Sequence, residues 1–133
     1  MKARKETGFT LVELTLVAAT VVVLAAFAYP SYKQHLLRTR RADCESTLMS
    51  AAALMERKHS VANKYTSTGL TLPAKCPQEG TKKFYTVTLT STDSTFTFTA
   101  TPEGTQTADK CGTLSLKHTG VKGTTGGSVS GCW

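Results

Sequence analysis

The chain has 133 residues, room for one domain with one core and not for two. With 40% hydrophobic and 19% charged residues, its composition excludes wholesale disorder. The formal charge is +7; Lys2, Arg4, Lys5 and Glu6 supply +2 of it, so the remainder carries +5. That excess suits anionic surfaces but is joined to no RNA- or DNA-binding motif. Solvated lysines and a basic membrane-proximal stretch account for it.

In chain order, residues 1–8 are polar and basic. Phe9 to Tyr29 follows as 21 residues carrying one charge, Glu13. A helix of that length rises about 30 Å, the thickness of a bilayer's hydrocarbon core. A cleaved secretory signal would also have a basic start, an apolar stretch and a small-residue site such as Ala26-Phe27-Ala28. A plain signal anchor would fit as well, and Lys33, Arg38, Arg40 and Arg41 balance the basic residues at the other end.

Two features set this segment apart from both. Glu13 is a carboxylate inside the apolar run; such a group is costly in lipid and marks a partner. The helical pattern also continues beyond the run. Leu37, Cys44, Leu48, Ala51, Ala52 and Met55 form one apolar stripe, with Lys33, Arg40, Arg41, Glu45 and Glu56 largely off it. The pattern predicts one long helix with a kink at Pro30, which removes a backbone donor.

The run Lys5-Glu6-Thr7-Gly8-Phe9-Thr10-Leu11-Val12-Glu13-Leu14 resembles the prepilin cleavage and methylation motif of type IV pilins and type II secretion pseudopilins. The resemblance implies that a prepilin peptidase cuts between Gly8 and Phe9 on the cytoplasmic side. It implies N-methylation of Phe9 and a Glu13 carboxylate that faces a neighbouring subunit's N-terminal amine. Pro30 matches a proline common in that family's N-terminal helix. The implied layout is a leader peptide over 1–8, a transmembrane and assembly helix over 9–29, and its amphipathic half over 30–62. A loop and an antiparallel sheet then occupy 63–133. The fold class is α+β: the type IV pilin fold, a long N-terminal helix packed on a small antiparallel sheet with a disulfide-closed C-terminal loop.

Beyond the helix, Asn63, Thr66, Ser67, Gly69 and Pro73 mark a loop reaching about Lys83. Phe84 to Ser91 alternates, with Tyr85, Val87 and Leu89 on one face. A turn at Thr92-Asp93-Ser94 leads to a second alternating run, Thr95 to Thr101, with Phe96, Phe98 and Ala100 on one face. Cys111 to Lys117 supplies a third strand through Leu114 and Leu116. The stretch from Gly120 to Gly131 is rich in Gly, Ser and Thr, and is predicted to be loose unless tethered.

The cysteines number four, an even count behind a membrane-targeting segment, which favours two disulfides. No C-x-x-C pair is present, and His35, His59 and His118 stand far from any cysteine, so neither a metal site nor a cofactor is predicted. Three connectivities are open. Cys111 and Cys132 bracket the loose stretch, and their bridge closes a loop of about 20 residues, worth about 3 kcal/mol in the chain-entropy model. The C-terminal disulfide loop of type IV pilins resembles that pairing. The remaining pair is then Cys44 with Cys76.

The segments Tyr65-Thr66, Gly69 to Pro73, Phe96 to Pro102, Cys111 to Leu116, Gly120-Val121-Lys122 and Cys132-Trp133 resemble the PilE-type minor pilins of type IVa pili. That resemblance implies a minor pilin that helps initiate or prime a pilus. Its partners would be the prepilin peptidase, other minor pilins, the major pilin, the inner-membrane assembly machinery and the membrane. The globular part would lie in the periplasm before assembly and outside the cell afterwards. A major pilin or a pseudopilin is the alternative within filaments. A DNA-binding or adhesive pilin is the alternative of another class, with Lys82, Lys83, Lys117 and Lys122 as contributors. No catalytic set of residues is apparent.

Overall fold

Residues 8–133 are described by a computed structural model, which divides into one unit ending at His35 and another from Leu36 to Trp133. Helix α1, Leu11–Ala62, contributes to both. The leader residues before Gly8 lie outside the described residues.

Thr10 starts α1. Its hydroxyl accepts the Glu13 N–H at 3.2 Å and its carbonyl accepts the Leu14 N–H at 3.1 Å. These bonds satisfy donors that a helix start leaves without intrahelical partners. Through the first unit the apolar side chains stand exposed: Phe9, Leu11, Val12, Leu14 and Leu16 are each at least 66% exposed. The hydroxyls of Thr15 and Thr20 turn back onto the carbonyls of Val12 and Val17 at 2.8 Å, which hides their polarity within the helix. Pro30 lies inside α1, and the helix is continuous through it. At the other end Asn63 takes a positive φ of 54° while its N–H reaches the His59 carbonyl. Asparagine tolerates that left-handed stop.

In the second unit five antiparallel strands run in the order β1 to β5. They are Lys75–Cys76, Tyr85–Ser91, Phe96–Pro102, Leu114–Lys117 and Lys122–Thr124. The central hairpin pairs Val87 with Ala100 and Leu89 with Phe98, the register that keeps both apolar faces on one side. Tyr85, Val87, Phe96, Phe98, Ala100, Leu114 and Leu116 bury that face against Cys44, Leu48, Ala51 and Met55 of α1. The narrow sheet thus gains its core from the helix, as two packed layers require.

The flanks differ from the sequence expectation. The loop after α1 contains β1, anchored by the Cys44–Cys76 bridge, with Cα atoms 5.2 Å apart. The stretch from Gly120 to Gly131 is tethered by the expected bridge and carries regular elements that the sequence reading did not assign. Strand β5 pairs with β4, and helix α2, Val129–Cys132, ends in the Cys111–Cys132 bridge, Cα–Cα 5.7 Å. Backbone bonds from Thr125 to Thr113 and from Gly126 to Cys111 tether the stretch. A Cβ at Gly126 would collide with the Lys110 carbonyl, so only glycine lets the chain pass there.

Arg41 is the main departure. The sequence places it off the apolar stripe, yet it is buried on it. Its Nη1 donates to Asp109 Oδ1 at 2.6 Å and Oδ2 at 2.8 Å, and its Nε lies 3.6 Å from Glu45 Oε1. Asp109 follows a 3-10 turn, Gly104–Ala108, and its Oδ1 also accepts the Cys111 N–H. Gln106 Nε2 bonds the Leu37 carbonyl and the Tyr85 hydroxyl, both at 3.0 Å. Desolvation raises the Tyr85 phenol to about 12, with the Gln106 bond opposing it.

Two outcomes are expected. Arg41→Ala leaves the Asp109 carboxylate buried without its cation and costs about 3–5 kcal/mol in urea unfolding, whereas the double replacement Arg41→Met with Asp109→Leu recovers most of that loss. Tyr85 is bound to its proton more tightly folded than unfolded. Its contribution is therefore full below pH 10, the unfolded value, and is lost as pH rises through about 12. Melting temperatures of the native chain and Tyr85→Phe across pH 9 to 12 should differ in slope over that window.

Candidate functional site

The first candidate site is the start of α1. Gly8 and Phe9 are exposed and precede the helix, and nothing lies within 4 Å of the Gly8 Cβ position. Glu13 is the third residue of α1, and its carboxylate has no hydrogen-bond partner among the described residues. Thr10 and Glu13 stand at the Ser/Thr-x-x-Glu spacing of a capping box, a signal that the sequence reading passed over. The structure forms the threonine half of that box. From Leu11 the helix is long and apolar enough to cross a membrane, with the described window wholly uncovered.

The second is the end of the globular unit where α1 stops. Tyr65 sits at its centre, stacked on His59 at 4.2 Å and edge-on to Phe96 at 4.9 Å. Its N–H holds the β2–β3 turn through the Asp93 carbonyl, and the His118 N–H holds the β4–β5 turn through Phe96. Burial and the Glu56 carboxylate, which accepts the Tyr65 hydroxyl at 3.0 Å, push the phenol above its ordinary value. Lys117 and Lys122 flank the β4–β5 turn beside this packing, near Glu56 of α1. Among the described residues neither of these cations is in an ion pair; the pairs are Arg41 with Glu45, Arg41 with Asp109, and Lys83 with Glu103.

The sequence-named lysines divide accordingly. Lys117 and Lys122 belong to this end. Lys83 is committed to Glu103 at 2.8 Å; that bond, with one from Thr86, holds the Glu103 carboxyl below its ordinary value. Lys122 Nζ also lies 5.1 Å from the Trp133 ring, and the Trp133 indole donates to the Gly123 carbonyl at 3.0 Å, which covers the outer edge of β5. No group of three or more His, Cys, Asp or Glu placed to hold a metal ion occurs among the described residues.

A long N-terminal helix, half bare and apolar and half packed on an antiparallel sheet whose last strand is closed by a C-terminal disulfide, defines a type IV pilin. A type IV pilin from Shewanella oneidensis has the same fold, with a TM-score of 0.57 and 29% identity over 73% of this chain and 97% of that one. The non-core minor pilin PilV of Neisseria meningitidis shares the fold at a TM-score of 0.53 and 24% identity, over 71% of this chain and 92% of its own. A fimbrial protein of Pseudomonas aeruginosa is 46% identical over 68 residues, 47% of this chain. That match spans 43% of the fimbrial protein, less than half its length. Residues 30–115 match the family described as type IV minor pilin ComP, DNA uptake sequence receptor, and the chain belongs to that family. The minor-pilin expectation therefore holds, with a ComP-type rather than a PilE-type family model as the match.

Proposed function

We propose that the chain is a structural subunit, a minor pilin incorporated into a type IV pilus, where it helps initiate or prime assembly. The observation that carries this reading is the bare apolar half of α1 with one carboxylate in its first turn, joined to a pilin globular unit. Prepilin peptidase cuts between Gly8 and Phe9, and Phe9 becomes the methylated first residue. Its α-amine is positive near neutral pH. The Glu13 carboxylate of one subunit meets that amine on a neighbour, within lipid or the filament core, where low dielectric strengthens the pair. Pro30 serves as the bend between the membrane half and the amphipathic half. The helix sits in the inner membrane with the globular unit in the periplasm, and other minor pilins, the major pilin and the assembly machinery receive it. The work is structural rather than catalytic. The minor-pilin family match weighs against a major pilin or a pseudopilin.

Loss of residues 1–8 plus one methyl group in an intact mass of membrane protein is the expected result; a chain beginning at Tyr29 or at Met1 would overturn it. Glu13→Ala should insert into the membrane normally yet enter sheared pili about tenfold less, because a carboxylate in lipid is costly until it is paired and its removal abolishes the drive to pair. Unchanged incorporation would refute the role.

A second reading, reception of DNA, is favoured by Lys117 and Lys122 beside the Tyr65 packing and by the description of the family. Lysine–phosphate contacts would release counterions, so binding of the full chain to DNA is expected to fall steeply between about 50 and 200 mM salt.

A further inference from the structure

Between Glu13 and Asp43 the chain has no acidic residue, yet it carries Lys33, Arg38, Arg40 and Arg41 there. All four follow Tyr29, the last residue of the apolar run, and the furthest stands 12 residues beyond it. Arg41 is taken up in the core by Asp109. Two of the remaining three are held on aromatic rings. In the first unit Lys33 Nζ lies 4.8 Å from the centre of the Tyr29 ring. In the second unit the Arg40 guanidinium lies 3.9 Å from the centre of the Phe84 ring, and its Nη1 donates to the Thr105 hydroxyl at 3.1 Å. Among the described residues neither Lys33 nor Arg40 is in an ion pair. Glu103, two residues before Thr105, is committed to Lys83 and Thr86.

A ring face attracts a cation but is no substitute for an anionic acceptor. An ammonium has three N–H donors; a guanidinium has five, of which Arg40 gives one to Thr105. The rings also restrain both side chains, so less rotamer entropy is lost when an anion takes the free donors. Tyr29 and Tyr32 are each 62% exposed at the end of the apolar run. Tyrosine in that place suits the headgroup level of a bilayer, where its ring meets apolar chains and its hydroxyl meets water. Lysines and arginines that follow a span are drawn to anionic lipid, by about fivefold for each cation near the surface. We propose that Lys33 and Arg40 take the phosphates of anionic phospholipids at the end of the apolar run. The proposal rests on the reading of α1 as a membrane span and deepens it by naming the class of lipid.

The test places the full chain in nanodiscs of equal phosphatidylcholine and phosphatidylglycerol. Lipids that stay with the released chain are counted by native mass spectrometry. Phosphatidylglycerol is expected to be retained about fivefold over phosphatidylcholine. Lys33→Gln, at an exposed position outside the core, should about halve that ratio, and Lys33→Gln with Arg40→Gln should lower it about threefold or more. Lys117→Gln with Lys122→Gln removes the same charge elsewhere and should leave the ratio unchanged. Equal retention of the two lipids by the native chain overturns the proposal. An equal fall in the Lys117 and Lys122 variant reduces the effect to net charge and overturns it too. Displacement of phosphatidylglycerol by excess inorganic phosphate would assign the two cations to free anions and overturn the lipid. A chain that enters nanodiscs of neither lipid overturns the membrane reading along with the proposal.

Discussion

Arg41 and Asp109 stand 68 residues apart in the chain and meet in the core, and much of the globular unit depends on that meeting. The guanidinium belongs to the helix; the carboxylate belongs to the turn that feeds the C-terminal loop. Asp109 uses its second role, accepting the Cys111 N–H, to place the cysteine from which the closing disulfide starts. Helix position, turn and bridge are thus set by one buried pair. Burying two charges is expensive unless geometry and further hydrogen bonds compensate. Here Tyr85 and Gln106 surround the carboxylate, and Gln106 also reaches the Leu37 carbonyl on α1. The arrangement fixes one register of helix on sheet, a specificity that apolar packing between a smooth stripe and a narrow Thr-rich sheet would define less sharply.

The order imposed at that end continues across the sheet. Cys111 leads into β4, β4 pairs with β5, and the chain returns through α2 to Cys132. The stretch with the poorest intrinsic preference for structure is therefore held by a covalent tie, a strand pairing and the Trp133 indole together. Its glycines serve close backbone approach, as Gly126 does against the Lys110 carbonyl. The opposite turns, where Lys117 and Lys122 project, inherit their position from the same tether.

Periodic apolar segments were legible in the residues. The alternation Tyr85-Val87-Leu89 and Phe96-Phe98-Ala100 forecasts the central hairpin to within about one residue, and Leu37 to Met55 forecasts the buried stripe. What escaped has a common cause: its partner lies far away in sequence. Strands β1 and β5 have two and three residues, too short for any period, and exist because β2 and β4 offer them an edge. Arg41 reads as a surface charge from composition alone. Yet the buried positions Leu37, Arg41, Cys44, Leu48, Ala51 and Met55 step by four and three throughout, and the seven-residue gap between Leu37 and Cys44 was the available sign that position 41 faces inward.

Glu13 shows how a local rule and a functional reading separate. At the third position of a helix behind Thr10, a glutamate ordinarily serves as the returning half of a capping box. Here the Thr10 hydroxyl and carbonyl satisfy the Glu13 and Leu14 N–H groups by themselves. The helix start does not call on the carboxylate, although its place in the first turn favours a negative charge through the helix dipole. In lipid that modest electrostatic gain does not offset the cost of an ionised side chain. In the proposed assembly the balance is met from outside the chain, by a positive group carried at membrane depth by a second subunit.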